Sequence, residues 1–392
     1  MPCNLDLYPL EFTISQANTG TDAIAAEVDD LQYTAEAIAI SLLQNQRAYG
    51  YNLSMLQDAI GGGGLNALMP LTIISNTAAF IPNTKGSKGF WGGGMIANGS
   101  SVSYLDRFTF ADKSISRLGV NFAKPRCASG TTATRINAYW GGGWNVAGGG
   151  STDLDRLILS TEALSTVGTL FASPPNPTGH IVGLTALTAG YMLGGVCTNY
   201  TRSNSIQKIT FSTEAVTILG AVLPTAPWGH VGVSAATAGY IAGGYLTQSV
   251  ATIYKFLYST EVISLLGAPL AVARRNSAAL SSETAGYFTA GLGGTGYVGD
   301  GTILSSIEKL TYPSEAMSLL GAAFGIPHWV SEGLGSNSYG YTGGGFIRPY
   351  ASLRTIYEFA YIGESLTLLG IGLSDVRYSS SAVSDFSPAM GL

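Results

Sequence analysis

The sequence predicts an all-β protein built as a β-propeller of about six blades. Two observations lead to this prediction. An aromatic residue followed by glycines recurs six times, at intervals of 47 to 54 residues. Each interval contains three or four short runs in which apolar and polar residues alternate, separated by turn residues. Alternation with a period of two is typical of strands, and four strands per repeat of about 50 residues is typical of propellers.

Each repeat can be divided into four elements. The aromatic strand comes first, and its six aromatic residues are interpreted as structural repeat positions: Phe90, Tyr139, Tyr191, Tyr240, Tyr287 and Tyr341. An aliphatic–polar–basic strand follows, then a turn with an acid, then an apolar–glycine pair. The basic residues of the second element are expected to pair with turn acids or to cover blade faces: Arg107, Arg156, Lys208, Lys255 and Lys309. The first repeat departs from the pattern with Lys113 in its turn, and the last departs with Glu358 in place of the base.

The glycine pair after each aromatic strand also has an expected mechanical role. Backbones crowd near the central axis of a propeller, where a side chain would clash. We therefore expect the glycine pairs to lie near that axis.

The order of these elements resembles the kelch repeat, in divergent form, over roughly residues 76–385. The variant TAGYxxGG…IxKxxFSTExxxxLGA resembles repeats in virion proteins of tailed phages, notably those that infect cyanobacteria. The chain departs from typical kelch repeats because a Leu-Gly pair stands where a tryptophan is usual. The resemblance implies a propeller, while its implication for function is weak because propellers host both binding and catalysis.

The strand before each aromatic motif sets the expected blade count. Copies of it begin near Asn76, Arg126, His180, His230, Arg275 and His328, and a seventh copy near Arg377 has no glycine strand after it. Six blades closed by this last strand are the preferred interpretation. A seventh, degenerate blade that borrows residues 5–15 or 65–75 is the alternative.

The first sixty residues differ from the rest of the chain. They hold eight acids and one base, and the run Gly61–Gly64 that follows predicts a hinge. The predicted domains are a docking arm and helical stalk (1–60), a hinge and lead-in (61–75) and the propeller (76–392). Heptad spacing predicts a short helical seam, which forms either a trimeric coiled coil or an amphipathic helix that lies on the propeller or on another protein. The residues of this oligomerisation or docking seam are Ile24, Val28, Leu31, Ile38 and Leu42.

Composition excludes several classes of function. The net charge of −5 argues against nucleic-acid binding, and no apolar stretch reaches the length of a membrane span. Three scattered cysteines argue against a disulfide framework and a zinc site. We expect no metal and no cofactor, and synthesis in the host cytoplasm without a signal peptide.

Candidate chemistry is sparse, and no catalytic residue is predicted. His180, His230 and His328 are interpreted as one repeated scaffold position, shared with Arg126 and Arg275. Loops on one rim are the better candidates for ligand binding, above all the long connection 292–306. The candidate ligand-binding residues in the rim loops are Trp144, Tyr200, Tyr245, Tyr297, Asp300 and Tyr350, and the rings of the five aromatic ones could stack on sugars.

These observations and the resemblance favour a non-enzymatic structural protein of a phage virion, such as a tail fibre or appendage. Residues 1–60 would dock on other virion proteins, and a homotrimer would present propellers to a host-envelope glycan or protein. An intracellular or cell-surface kelch-type adaptor is the alternative, and a propeller enzyme that degrades polysaccharide is a lesser one.

Overall fold

A computed structural model describes residues 86–145, 149–170, 179–197, 201–295, 301–349 and 351–390. In these residues, the strands form six four-stranded antiparallel sheets and two short two-stranded hairpins. The helical content of the described residues is one 3-10 turn at Pro388–Met390. The prediction of an all-β propeller with six blades is confirmed, while the predicted domains 1–60 and 61–75 and their helical seam lie outside the described residues.

The strands are numbered along the chain and grouped by blade. Blade 1 contains β1 (Lys88–Gly92), β2 (Tyr104–Thr109) and β3 (Ser114–Asn121). Blade 2 contains β4 (Gly130–Ala133), β5 (Asn137–Gly141), β8 (Asp153–Ile158) and β9 (Ala163–Thr169). Blade 3 contains β10 (Val182–Thr185), β11 (Ala189–Leu193), β12 (Ser205–Thr210) and β13 (Ala215–Val222). Blade 4 contains β14 (Val231–Ser234), β15 (Ala238–Ala242), β16 (Ile253–Leu257) and β17 (Val262–Leu265). Blade 5 contains β18 (Ala278–Ser281), β19 (Ala285–Thr289), β20 (Ser306–Thr311) and β21 (Ala316–Ala323). Blade 6 contains β22 (Glu332–Gly335), β23 (Tyr339–Gly343), β26 (Thr355–Ala360) and β27 (Ser365–Gly372). The hairpins are β6 (Trp144–Asn145) with β7 (Gly149–Gly150) and β24 (Phe346–Ile347) with β25 (Ala351–Ser352), and the last strand is β28 (Ser381–Ser384).

The chain end closes the ring. Strand β28 pairs antiparallel with β1 and becomes the innermost strand of blade 1, with Phe90 opposite Val383. Next to this pair, the Ser87 hydroxyl donates to a carboxylate oxygen of Asp385 at 2.6 Å. The predicted closing strand near Arg377 is therefore confirmed. The inner strand expected near Asn76 is supplied by β28 instead, and Asn76 itself lies outside the described residues.

The inner strands β4, β10, β14, β18, β22 and β28 contact one another in sequence around a central channel. Their second residues are small: Thr131, Gly183, Gly232, Ala279, Gly333 and Ala382. A Cβ atom on Gly183 would overlap the backbone of Thr131 in the neighbouring blade. Small side chains at this position therefore let six backbones meet at the axis.

The glycine pairs lie elsewhere, so the expectation that they line the axis is wrong. Each pair follows the second strand of its blade, and both of its residues have positive φ, as in Gly93 (φ 61°) and Gly94 (φ 111°). The amide of Gly94 donates to the carbonyl of Arg126 in the next blade at 2.8 Å, and a Cβ on Gly93 would overlap that carbonyl. Glycine favours this left-handed turn and the close approach between blades, although blade 5 has Ala290 (φ 55°) in the first position of its pair.

The six motif aromatics are buried between blades. The five tyrosine rings among them stack on aromatic neighbours, as in Tyr240 on Tyr312, with centroids 5.7 Å apart and planes 8° apart. The Tyr240 hydroxyl also donates to Glu315 of the next blade at 2.9 Å. Each such buried aromatic pair adds about 0.5–1.5 kcal/mol to folding stability, beyond the contribution of its buried apolar area.

Candidate binding face and central channel

The central channel contains two cavities that meet at the small residues of the inner strands. The cavity at the end where the chain enters each inner strand, called here the upper end, has a volume of about 130 Å³. The lower cavity has a volume of about 100 Å³ and is lined in part by Phe386, Ser387 and Met390 of the chain end. The described chain also begins at this lower end, because Gly86 lies against Phe386.

A ring of residues with left-handed backbone surrounds the upper mouth. One residue per blade has φ between 50° and 66°: Ala128, His180, Gly229, Asn276, Val330 and Ser379. The amide of Asn276 donates to Gly229, that of Val330 to Asn276, that of Ser379 to Val330 and that of Ala128 to Ser379, at 2.7–2.9 Å. A β-branched residue rarely adopts this backbone, so Val330 shows that the inter-blade hydrogen bonds outweigh the local strain.

Glu332 breaks the repeat inside the channel. The equivalent first residues of the other inner strands are Gly130, Val182, Val231, Ala278 and Ser381. The Glu332 side chain lines the upper cavity, and its carboxyl has no hydrogen-bond or ion-pair partner among the described residues. Burial raises the pKa of this carboxyl to about 8, so it is mostly protonated at neutral pH.

The three histidines occupy three different positions, so the interpretation of one shared scaffold position is wrong. His180 belongs to the left-handed ring, His230 follows the ring residue Gly229, and His328 lies two residues before the ring residue Val330. The number of residues between the histidine and the inner strand differs among the three blades, and the sequence repeat alone does not reveal this difference. Burial lowers the pKa of both His180 and His230 to about 4, so both are neutral at neutral pH.

Three blades contain a fully buried ion pair that the sequence analysis missed. An arginine two residues before the left-handed ring pairs with the acid at the centre of the third strand: Arg126 with Asp155, Arg274 with Glu308 and Arg377 with Asp106. In blade 6 the equivalent residues are His328 and Tyr357, whose rings stack 5.9 Å apart. The sequence contains a signal for these pairs, because the three blades with an acid at the centre of the third strand also have an arginine in the segment before the inner strand.

A second ring of ion pairs joins neighbouring blades near the periphery. The expectation that the repeated bases pair with turn acids is confirmed, and each acid belongs to the following blade. The pairs are Arg107–Glu162, Arg156–Glu214, Lys208–Glu261, Lys255–Glu315 and Lys309–Glu364, with N–O distances of 2.5–2.9 Å. The sixth contact, between blades 6 and 1, is reversed, because Glu358 pairs with Lys113 at 2.9 Å.

Aromatic residues occupy the rim of the upper mouth in four of the six blades. The residue before each left-handed residue bonds through its backbone to the residue after the glycine pair of the same blade, as in Trp329 with Phe346. Trp144 lies on this rim and is partly exposed. Tyr245 is only 7% exposed, so the premise of an accessible ring does not hold for it. The other rim candidates, Tyr200, Tyr297, Asp300 and Tyr350, lie outside the described residues.

The described residues offer little else for catalysis. They contain no group of three or more His, Cys, Asp or Glu side chains that could hold a metal ion. The thiols of Cys127 and Cys197 are free and buried, and burial raises the pKa of Cys127 to about 12. The described part of the chain contains no helix of the length and apolarity that a membrane span requires.

Compared with protein-family models and with curated proteins, the sequence shows no match.

Proposed function

We propose that this chain is a non-enzymatic structural protein of a tailed-phage particle, a tail fibre or related appendage. Its propeller presents the upper rim to the host surface for recognition of a glycan or a protein. The proposal draws on the resemblance of the repeats to kelch-like virion proteins and on the polarity of the propeller.

That polarity is the observation that supports the proposal most. Both the first described residues and the chain end lie at the lower end of the channel, where Ser87 binds Asp385. The partly exposed rim residues Trp144, Trp329 and Phe346 lie at the opposite, upper end. A protein whose chain enters and leaves at one end is suited to attachment there and to contact with a ligand at the other end.

The experiment that tests the proposal is detection of the protein in particles. Tailed phages from the source of this gene are purified on a density gradient and analysed by mass spectrometry and by immunogold labelling of the propeller. The proposal expects several copies per particle and expects soluble protein to reduce adsorption to host cells. Absence from infectious particles would overturn it.

The stalk prediction has its own measurement. Light scattering after size exclusion gives the mass of the full chain and of a variant that begins at Leu65. A trimer, at three times 40.6 kDa, that falls to a monomer on truncation supports a trimeric stalk. A monomer in both cases contradicts that prediction.

A further inference from the structure

Three aromatic side chains form a continuous surface where blades 6 and 1 meet at the upper rim. The rings of Trp329 and Phe346 lie 5.7 Å apart and nearly perpendicular, and Phe346 lies 4.9 Å from Tyr378. All three are partly exposed. We call this surface the aromatic arc.

The equivalent rim positions of blade 4 are closed. Trp228 and Tyr245 are 8% and 7% exposed, and the guanidinium of Arg275 covers the Tyr245 ring at 4.4 Å. The Tyr245 hydroxyl donates to the Thr295 carbonyl at 3.2 Å. The same rim position is thus packed and capped in one part of the ring and left accessible in the arc.

The arc has two apolar rings beside one polar group with spare hydrogen-bonding capacity. The Tyr378 hydroxyl has no hydrogen-bond partner among the described residues. Burial raises the pKa of Tyr378, so its hydroxyl remains a donor at neutral pH. A suitable ligand therefore has an apolar face and hydroxyl groups at its edge.

We propose that the aromatic arc binds a pyranose ring, with the C–H face of the sugar on Phe346, an edge of the sugar against the perpendicular Trp329 ring and a sugar hydroxyl bonded to Tyr378. A peptide strand is disfavoured, because the backbone groups of this rim already bond each other: Trp329 and Phe346 exchange two bonds at 2.8 and 3.1 Å. This inference rests on the proposed function and specifies its ligand class.

Ligand-observed saturation-transfer NMR on the full chain tests the inference. The probes are the methyl glycosides of glucose, galactose, mannose, rhamnose and N-acetylglucosamine at millimolar concentration. At least one probe is expected to receive saturation on its C–H face. Phe346→Ala should weaken that binding about tenfold, and Tyr378→Phe should weaken it several-fold.

The matched control is Tyr339→Ala. Tyr339 is 38% exposed and lies at the turn into β23, away from the upper rim. Binding that survives this change but not Phe346→Ala supports the arc. No transfer from the wild-type protein to any probe, or equal loss in both variants, overturns it. Detection of the protein in phage particles does not depend on sugar binding, so a failure of the sugar-binding inference can be distinguished from a failure of the virion proposal.

The reversed ion pair supports a second inference. Five blade contacts place a base on the earlier blade and Glu on the later one, while the closing contact places Glu358 on blade 6 and Lys113 on blade 1. A ring that omitted blade 6 would place Lys309 against Lys113, and a ring that omitted blade 1 would place Glu358 against Glu162. We infer that the reversed pair makes ring closure specific for the first and last blades.

A charge exchange separates this role from simple stabilisation. Lys113→Glu and Glu358→Lys each create a like-charge contact at closure, whereas the double variant recreates the polarity of the other five contacts. The double variant should keep the native midpoint of unfolding in its folded fraction. After refolding from urea, however, it should yield a larger protease-sensitive fraction, in which one terminal blade is cleaved. Equal protease-sensitive fractions in the double variant and the wild type would overturn the inference.

Discussion

Replacement of Arg274 by methionine should destabilise the propeller far more than replacement of Lys255 by methionine. Both cations lie 2.5 Å from a glutamate oxygen, Arg274 from Glu308 and Lys255 from Glu315. The side chains of the first pair are 1% and 0% exposed, and those of the second are 31% and 30% exposed. The comparison therefore varies burial at a constant distance.

The magnitudes follow from what each change leaves behind. After Arg274→Met, the Glu308 carboxylate keeps the backbone amides of Ala271 and Val272 but has no cation in a dry interior. Breaking a buried pair in this way costs about 3–5 kcal/mol. Removal of the guanidinium also takes one hydrogen-bond donor from each of the carbonyls of Ala290 and Ser306. The Lys255 pair is screened by water, so its loss costs about 0.2–1 kcal/mol.

Thermal unfolding at pH 7, followed by tryptophan fluorescence and far-UV circular dichroism, measures both changes. For a domain of about 300 residues, 1 kcal/mol corresponds to roughly 1.6 °C in Tm, so Arg274→Met should lower Tm by about 5–8 °C. Lys255→Met should lower Tm by less than about 2 °C. Equal shifts for the two variants would refute the argument that burial decides the strength of these pairs.

Three further predictions follow from the channel and the glycines. The pKa of Glu332 is raised above its unfolded value, so the folded state loses stability as pH rises from about 4.5 to 8. Glu332→Gln should therefore raise the free energy of unfolding by about 2–3 kcal/mol at pH 8.5 and by almost nothing at pH 4, as measured by urea midpoints. The pKa of His180 is lowered to about 4, so its contribution to folding stability is present above pH 6.5 and is lost as pH falls from 6.5 to 4. His180→Gln should therefore reduce the loss of stability over this acidic range, and an unchanged loss would contradict the prediction. Gly183→Ala should cost about 3 kcal/mol or prevent folding, whereas Gly220→Ala, where a Cβ meets open space, should stay within about 0.5 kcal/mol in the same assay.

The sequence predicted the features that recur in every blade and missed those that depend on alignment between blades. The blade count followed from the repeated aromatic–glycine strand. The closing strand followed from a seventh copy of the strand that precedes it, near Arg377, which has no glycine strand after it. The pairing of Lys255 with Glu315 followed from two recurring positions, and the structure confirms it. In contrast, the lead-in segments vary in length, so His180 and His328 were aligned although they occupy different positions.

The buried pairs and the aromatic arc were harder to predict for physical reasons. Arg126 and Asp155 are 29 residues apart and meet only after the blade has folded. Partial exposure of Phe346 and burial of Tyr245 occur at the same repeat position, and the guanidinium of Arg275 covers the Tyr245 ring. Residue type alone cannot distinguish these two environments.

Closure of blade 1 by the two ends of the propeller is the central claim, and a cross-link tests it most directly. The variant Ser87→Cys/Asp385→Cys, with Cys3→Ser to remove a competing cysteine, places two thiols at positions whose side chains now bond at 2.6 Å. Mild oxidation of the full chain should form one intramolecular disulfide, visible as faster migration on a non-reducing gel and lost on reduction. The matched variant Ser87→Cys/Ser264→Cys, with its second thiol on the exposed edge of blade 4, should remain reduced. Failure of the first pair to cross-link, or equal cross-linking of both pairs, would contradict the six-bladed closed ring.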